Sequence, residues 1–216
     1  MEWFDRLIDE ARDRARQRVA AARSNHPEDD QAALGRRLVR AAAMRAGLAG
    51  AATGTLALVT LPVGLPAGIA ASLFFEAELI LELLELYGFD SAGESGRVKL
   101  YALWAGAGFA DAAKSVGLRT GAAALGRVLL DSLPAQLIRK LNPALVKFIL
   151  RRLGLGWLPK AMKLWPLLGA PISFVIDRAA LRTLGEATLA TLDGAAREKR
   201  QRARSGRRRS LKLARA

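Results

Sequence analysis

The chain has 216 residues, of which 51% are hydrophobic, and 34 Lys+Arg stand against 20 Asp+Glu, a formal net charge of +14. That is core material for one large domain with tails, which excludes disorder of the chain as a whole. The lack of cysteine excludes disulfides, thiolate metal sites and cysteine nucleophiles, and a lone histidine, His26, excludes a multi-histidine metal site.

The charge falls in blocks. Residues 1–45 are nearly balanced, 46–75 carry no charge, and 76–96 hold six acids and no base. From 97 to 196 bases outnumber acids by 14 to 5, and the last twenty residues have ten bases against Glu198. Separate stretches therefore have separate jobs. Met1–Arg18 alternates charges and offers no apolar run of the kind an export signal needs. With no cysteine either, an intracellular protein is expected.

Alanine, leucine and arginine abound and alternating β-branched runs are missing, so helix is predicted throughout. Trp3, Phe4, Leu7, Ile8 and Ala11 recur at helical spacing and predict an amphipathic helix to about Arg23, ended by Ser24-Asn25-His26-Pro27. A second helix is predicted from near Asp30 through Leu34, Leu38 and Val39 toward Met44.

Ala46 to Phe75 is a run of thirty uncharged residues. As one helix it would reach about 45 Å, beyond a bilayer core of about 30 Å. Pro62, Gly64, Pro66 and Gly68 interrupt it, however, so two helical arms joined by a Pro/Gly bend are predicted. Such a hairpin is either buried in a helical core or dipped into a membrane. Gly50-xxx-Gly54, Gly64-xxx-Gly68 and Gly117-xxx-Gly121 fit close helix–helix approach, in lipid or in a soluble Ala-rich bundle.

The second arm, about Ala67 to Tyr87, places Glu78, Glu82 and Glu85 within about 60° of one another, a stripe expected to face solvent or cations. Glu76 lies on the opposite face with Leu79, Ile80, Leu83 and Tyr87. A carboxylate there must find a partner (a base on another helix is expected), bind a proton or reach water. Asp90 to Gly96 reads as a loop, and a helix follows from about Arg97 to Gly108 or beyond, with Leu100, Leu103 and Trp104 as core. Asp111, among small residues, raises the same question as Glu76. A further helix is predicted over roughly Arg119 to Leu130.

Ser132 through Ile176 holds no acid. Lys147, Arg151, Arg152, Lys160 and Lys163 alternate there with apolar residues and with Trp157 and Trp165. Indoles at headgroup depth and cations on phosphates suit an anionic lipid surface; an ordinary basic face beside a core is the other reading. Asp177 to about Lys199 reads as the last helix. The tail 197–216, with Arg207, Arg208, Arg209 and Lys212, is expected to be flexible and to bind a polyanion, either lipid headgroups or nucleic acid.

Enzyme signatures fail. Gly121-Ala-Ala-Ala-Leu-Gly126 has the spacing of a phosphate-binding loop but continues Arg127-Val128, without the lysine and hydroxyl that such a loop needs. Gly106-Ala-Gly108 lacks a third glycine, and His26 has no serine on a strained elbow.

Gly64-Leu65-Pro66-Ala67-Gly68, followed by an apolar helix closing in Tyr87-Gly88-Phe89-Asp90, resembles the EcsC protein family. Leu158-Pro159-Lys160-Ala161-Met162 and Trp165-Pro166-Leu167-Leu168-Gly169-Ala170 are similar to that family's closing segment. The resemblance covers about residues 32–200. Ala67 stands where the family turn has glycine, and Glu76 is the nearest candidate for an aspartate of the family's helix. The resemblance implies a bacterial, mostly helical, membrane-associated protein, some members being encoded beside ABC transporters, and no established reaction.

The expectation is an all-α helical bundle with a Pro/Gly-broken apolar hairpin: an N-terminal helix and loop over 1–31, an EcsC-like domain over 32–196 and a basic tail over 197–216. The expected function is non-enzymatic and cofactor-free: binding anionic lipid at the cytoplasmic face of the membrane. A transporter or other membrane protein, or a second copy of the chain, is a further expected partner. Nucleic acid held by the tail on a soluble scaffold is the alternative.

Overall fold

A computed structural model describes residues 2–59, 61–106, 128–130, 136 and 169–213, without the side chains of 2–4, 53–69, 169–173 and 206–213. The fold is all-α, and no strand occurs among the described residues. Its helices are α1 (Glu2–Asn25), α2 (Gln31–Val59), α3 (Leu61–Leu86), α4 (Gly93–Ala105) and α5 (Gly169–Leu213). Val128 to Leu130 are helical too, and Val128 and Leu129 join the core.

Asp30 starts α2 as the sequence predicts: its Oδ1 accepts the Ala33 N–H at 2.7 Å, filling one of the donors that every helix N-terminus leaves open. The hairpin turns at another place than expected. α2 runs on to Val59 and α3 begins at Leu61, so Pro62, Gly64, Pro66 and Gly68 lie inside α3. The physical reason is that proline disfavours helix upstream of itself but fits a first helical turn, where its missing N–H needs no partner.

α3 is the central element. Every residue from Ala77 to Leu84 is buried, with Leu79, Ile80, Leu83 and Leu84 fully so. Each such side chain is worth about 1.5–3 kcal/mol of burial. α1 runs beside α3 in the same direction, Arg14 lying over the Phe74 ring and Arg23 reaching the Leu86 carbonyl. α2 lies antiparallel on another side, and α4 returns so that Trp104 comes level with Glu76.

α5 lies antiparallel along α2, at a distance set by glycine. A Cβ on Gly47 would stand 2.9 Å from the Phe174 ring, one on Gly185 2.7 Å from both Val39 methyls, and one on Gly35 2.6 Å from Leu189. Close-approach glycines are thus spread along this seam; of the four-residue pairs the sequence suggests, Gly117 and Gly121 lie outside the described residues.

Two expected boundaries move. α4 begins at Gly93 and stops at Ala105, where Gly106 turns to φ +53°. α5 begins at Gly169, not Asp177, and continues as helix to Leu213, so the expected flexible tail is a helical extension. Arginine, lysine and glutamine are good helix formers, and cations near a helix C-terminus are favoured by its dipole. Residues 197–205 are exposed on every face.

Candidate functional site

Of the acidic stripe of α3, Glu85 is half-buried and the other two carboxylates are out of solvent. Glu78 and Glu82 are buried in the centre of the bundle, at 1% and 0% exposure. Their partners come from both flanking helices. Arg18 of α1 donates from Nε to Glu78 Oε1 at 2.8 Å, and Arg45 of α2 donates from Nη2 to Glu82 Oε1 at 2.9 Å and to Glu78 Oε2 at 3.5 Å. Two cations thus face two carboxylates across three helices, so the stripe is cation-facing.

The cluster is incompletely satisfied. Glu82 Oε2 and Arg45 Nε are buried without a hydrogen-bond partner among the described residues. Burial pushes the Glu82 carboxyl up to about 7, the attraction of Arg45 and Arg18 opposing the shift and the charge of Glu78 adding to it. Desolvation wins because both carboxylates share the same small set of donors.

Glu76 meets α4. Its Oε2 accepts the Trp104 indole N–H, and Ser72 Oγ donates to its Oε1 at 3.5 Å. Trp104 is buried, so the indole supplies both core area and the donor. Glu76 and Asp177 line a cavity of about 30 Å³ between α2, α3 and α5, with Ala46, Gly50, Ser72 and Phe75 in its wall. Burial raises the Asp177 carboxyl above its ordinary range. The space suffices for one water. No group of His, Asp and Glu suited to a metal ion occurs among the described residues.

Tyr87-Gly88-Phe89-Asp90 has a structural task. Gly88, at φ +68°, donates to Glu85 O at 3.1 Å, and Phe89 N donates to Leu84 O at 3.0 Å, a left-handed helix stop that glycine enters without strain. Tyr87 OH donates to Asp193 Oδ1 at 2.5 Å, tying the end of α3 to α5. Asp90 Oδ1 accepts the Ala92 N–H at 2.8 Å. The Leu86 carbonyl is capped by Gln31 at 2.8 Å and Arg23 at 3.2 Å.

Two surfaces stand out. Across the α2–α5 seam the large apolar side chains Met44, Leu48, Val175 and Ile176 are exposed, the last three at 60%, 61% and 59%. Arg178 lies 5.9 Å from the Phe174 ring at this edge, and Arg40 is exposed on α2 one turn before Met44. The patch adjoins the uncharged arms of the hairpin. No signal for it was legible, because it unites residues about 130 positions apart. The second surface is the cationic end of α5, where Lys199 lies 5.4 Å from the Phe89 ring and Arg202 pairs with Glu198 at 2.7 Å. Phe174 sits at Gly47, Gly185 at Val39 and Asp193 at Tyr87, so that end points away from the hairpin turn.

Gly64, Pro66 and Gly68 lie in the first turns of α3, and Arg207, Arg208, Arg209 and Lys212 in the last turns of α5. Asp111, Lys147, Arg151, Arg152, Trp157, Lys160, Lys163 and Trp165 lie outside the described residues. No helix among the described residues is long and apolar enough to cross a membrane. No family model, no curated protein and no solved structure matches the chain.

Proposed function

We propose that this is a non-enzymatic protein that docks on the cytoplasmic face of a membrane through the shoulder formed by α2, the hairpin turn and the start of α5. The observation that carries the reading is the exposed apolar patch of Leu48, Val175 and Ile176 beside thirty uncharged residues. Exposed large apolar side chains near one end of the α2–α5 seam, with arginines close by in the chain, suit the boundary between acyl chains and phosphates. Exposed Arg40 and Arg178, beside Phe174, supply the basic edge that such a boundary calls for.

The docking is shallow. Each uncharged arm, from Ala46 to Val59 and from Leu61 to Phe75, is about 21 Å long, short of a bilayer core of about 30 Å. On the α1–α4 flank Arg97 pairs with Asp5 at 2.8 Å, and Arg14 with Glu10 at 2.7 Å. Those charges stay in water and limit the depth. The likeness of Gly64–Gly68 and Tyr87–Asp90 to the EcsC family is in keeping with this reading.

Flotation with vesicles of mixed zwitterionic and anionic lipid tests it. The full chain is expected to float with the vesicles, and the double variant Leu48→Glu/Ile176→Glu to stay at the bottom. Both positions are largely exposed, so the variant keeps its fold, checked by thermal unfolding. Equal recovery of the full chain with and without vesicles would overturn the proposal.

A further inference from the structure

We infer that the projecting end of α5, residues 197–213, is a docking element for a nucleic-acid duplex and enters a groove as a helix. This segment carries nine Lys/Arg against Glu198 and is one unbroken helix with the core of the bundle. Residues 197–205 are exposed on all faces, so this part of α5 is not built to be covered by the rest of the fold.

The arrangement of the cations selects the partner. At 100° per residue, positions 197, 199, 200, 202, 204, 207, 208, 209 and 212 spread around the whole axis, with no gap wider than about 80°. The apolar positions, Ala203, Leu211 and Leu213, are only three and are interleaved with Lys199, Arg200 and Arg207, so no continuous apolar face forms. A helix that lies on a lipid surface needs an apolar face below and cations at its edges. Cations on every side fit instead a concave polyanion with phosphates on both walls. A major groove about 12 Å wide receives a helix of about 10–12 Å diameter in that way.

Position in the fold agrees. α5 is antiparallel to α2, with Phe174 at Gly47 and Asp193 at Tyr87, so Arg207 lies about 48 Å along the helix from Val175 of the apolar patch. Among the described residues, exposed Leu48, Val175 and Ile176 lie near the start of α5 and its cations near the other end. A flat surface that meets the patch and the hairpin turn end-on lies out of reach of Arg207–Arg209. The cationic end is therefore free for a second partner.

Anisotropy of a labelled mixed-sequence DNA duplex of about 20 base pairs, titrated with the full chain in vesicle-free buffer, tests the inference. Binding is expected to weaken about 10³-fold between 50 and 200 mM salt, as release of counterions from about six phosphates requires. Ending the chain at Gln201 is expected to abolish it. Gly206→Pro keeps every charge but breaks the helix, and is expected to weaken binding at least tenfold. Leu48→Glu/Ile176→Glu is expected to bind the duplex as the parent does, so the membrane reading and this one fail separately. No binding at 50 mM salt, binding to anionic vesicles only through 202–216, or unchanged affinity in Gly206→Pro would each overturn it.

Discussion

At the scale of single residues the decisive groups are Glu78, Glu82, Arg18 and Arg45. A buried ion cluster seldom adds stability over an apolar core, but removing one member strands a charge. Arg45→Met leaves two buried carboxylates to Arg18 alone, and a loss of about 3–5 kcal/mol is expected in urea unfolding. Glu82→Gln should behave differently. Because the folded carboxyl titrates near 7 and the free side chain near 4.5, the folded protein holds a proton that the unfolded chain has released. The contribution of this group to stability is complete below about pH 4.5 and is lost as the pH rises to about 7. Glu82→Gln removes that loss, so its thermal midpoint should fall less than the parent's between pH 5 and pH 8. An equal fall in both proteins would show that Glu82 is ionised throughout. The acids themselves were legible in the sequence; their burial was not, because it depends on Arg18 and Arg45, 33 to 64 residues away.

At the scale of helices, much was legible. The Asp30 cap and the stop at Tyr87–Asp90 are local, made by residues within a few positions of one another, and they lie where the sequence puts them. The hairpin was legible as a pair of arms, yet its turn was misplaced because prolines that break a helix interior also open a new one. The α2–α5 seam depends on contact across more than a hundred residues. Gly185→Ala, whose methyl would stand 2.7 Å from both Val39 methyls and 3.1 Å from Leu79, is expected to cost about 1–3 kcal/mol. Gly194→Ala, on the same helix with nothing within 4 Å, is expected to gain about 0.5–1 kcal/mol from helix propensity alone. Denaturant midpoints of the two variants should therefore move in opposite directions.

At the scale of the whole molecule, the net charge of +14 is not a uniform coat. Nine of the bases fall on residues 197–213 of α5, while residues 46–75 carry none. Deleting residues 202–216 is expected to change unfolding free energy by no more than about 0.5 kcal/mol, since Arg202 to Ser205 are exposed and such positions contribute little. Helical circular dichroism should drop by the share of the twelve residues 202–213. A large fall in stability would mean that this segment is covered by the bundle. Lys199, near Phe89, stays in the shortened chain so that its ring contact is kept.

Composition and local spacing by themselves determined that this protein is helical, where α2 starts, how α3 stops, and that its charge lies in blocks. These follow from backbone preferences and short-range hydrogen bonds, which need only neighbours in the chain. Tertiary structure alone decided that α3 is central and its glutamates Glu78 and Glu82 buried, that Glu76 meets an indole, and that Leu48 is exposed near Val175 and Ile176 at the start of α5. Those outcomes depend on which helices pack together and in which direction, and packing joins residues that the sequence keeps far apart.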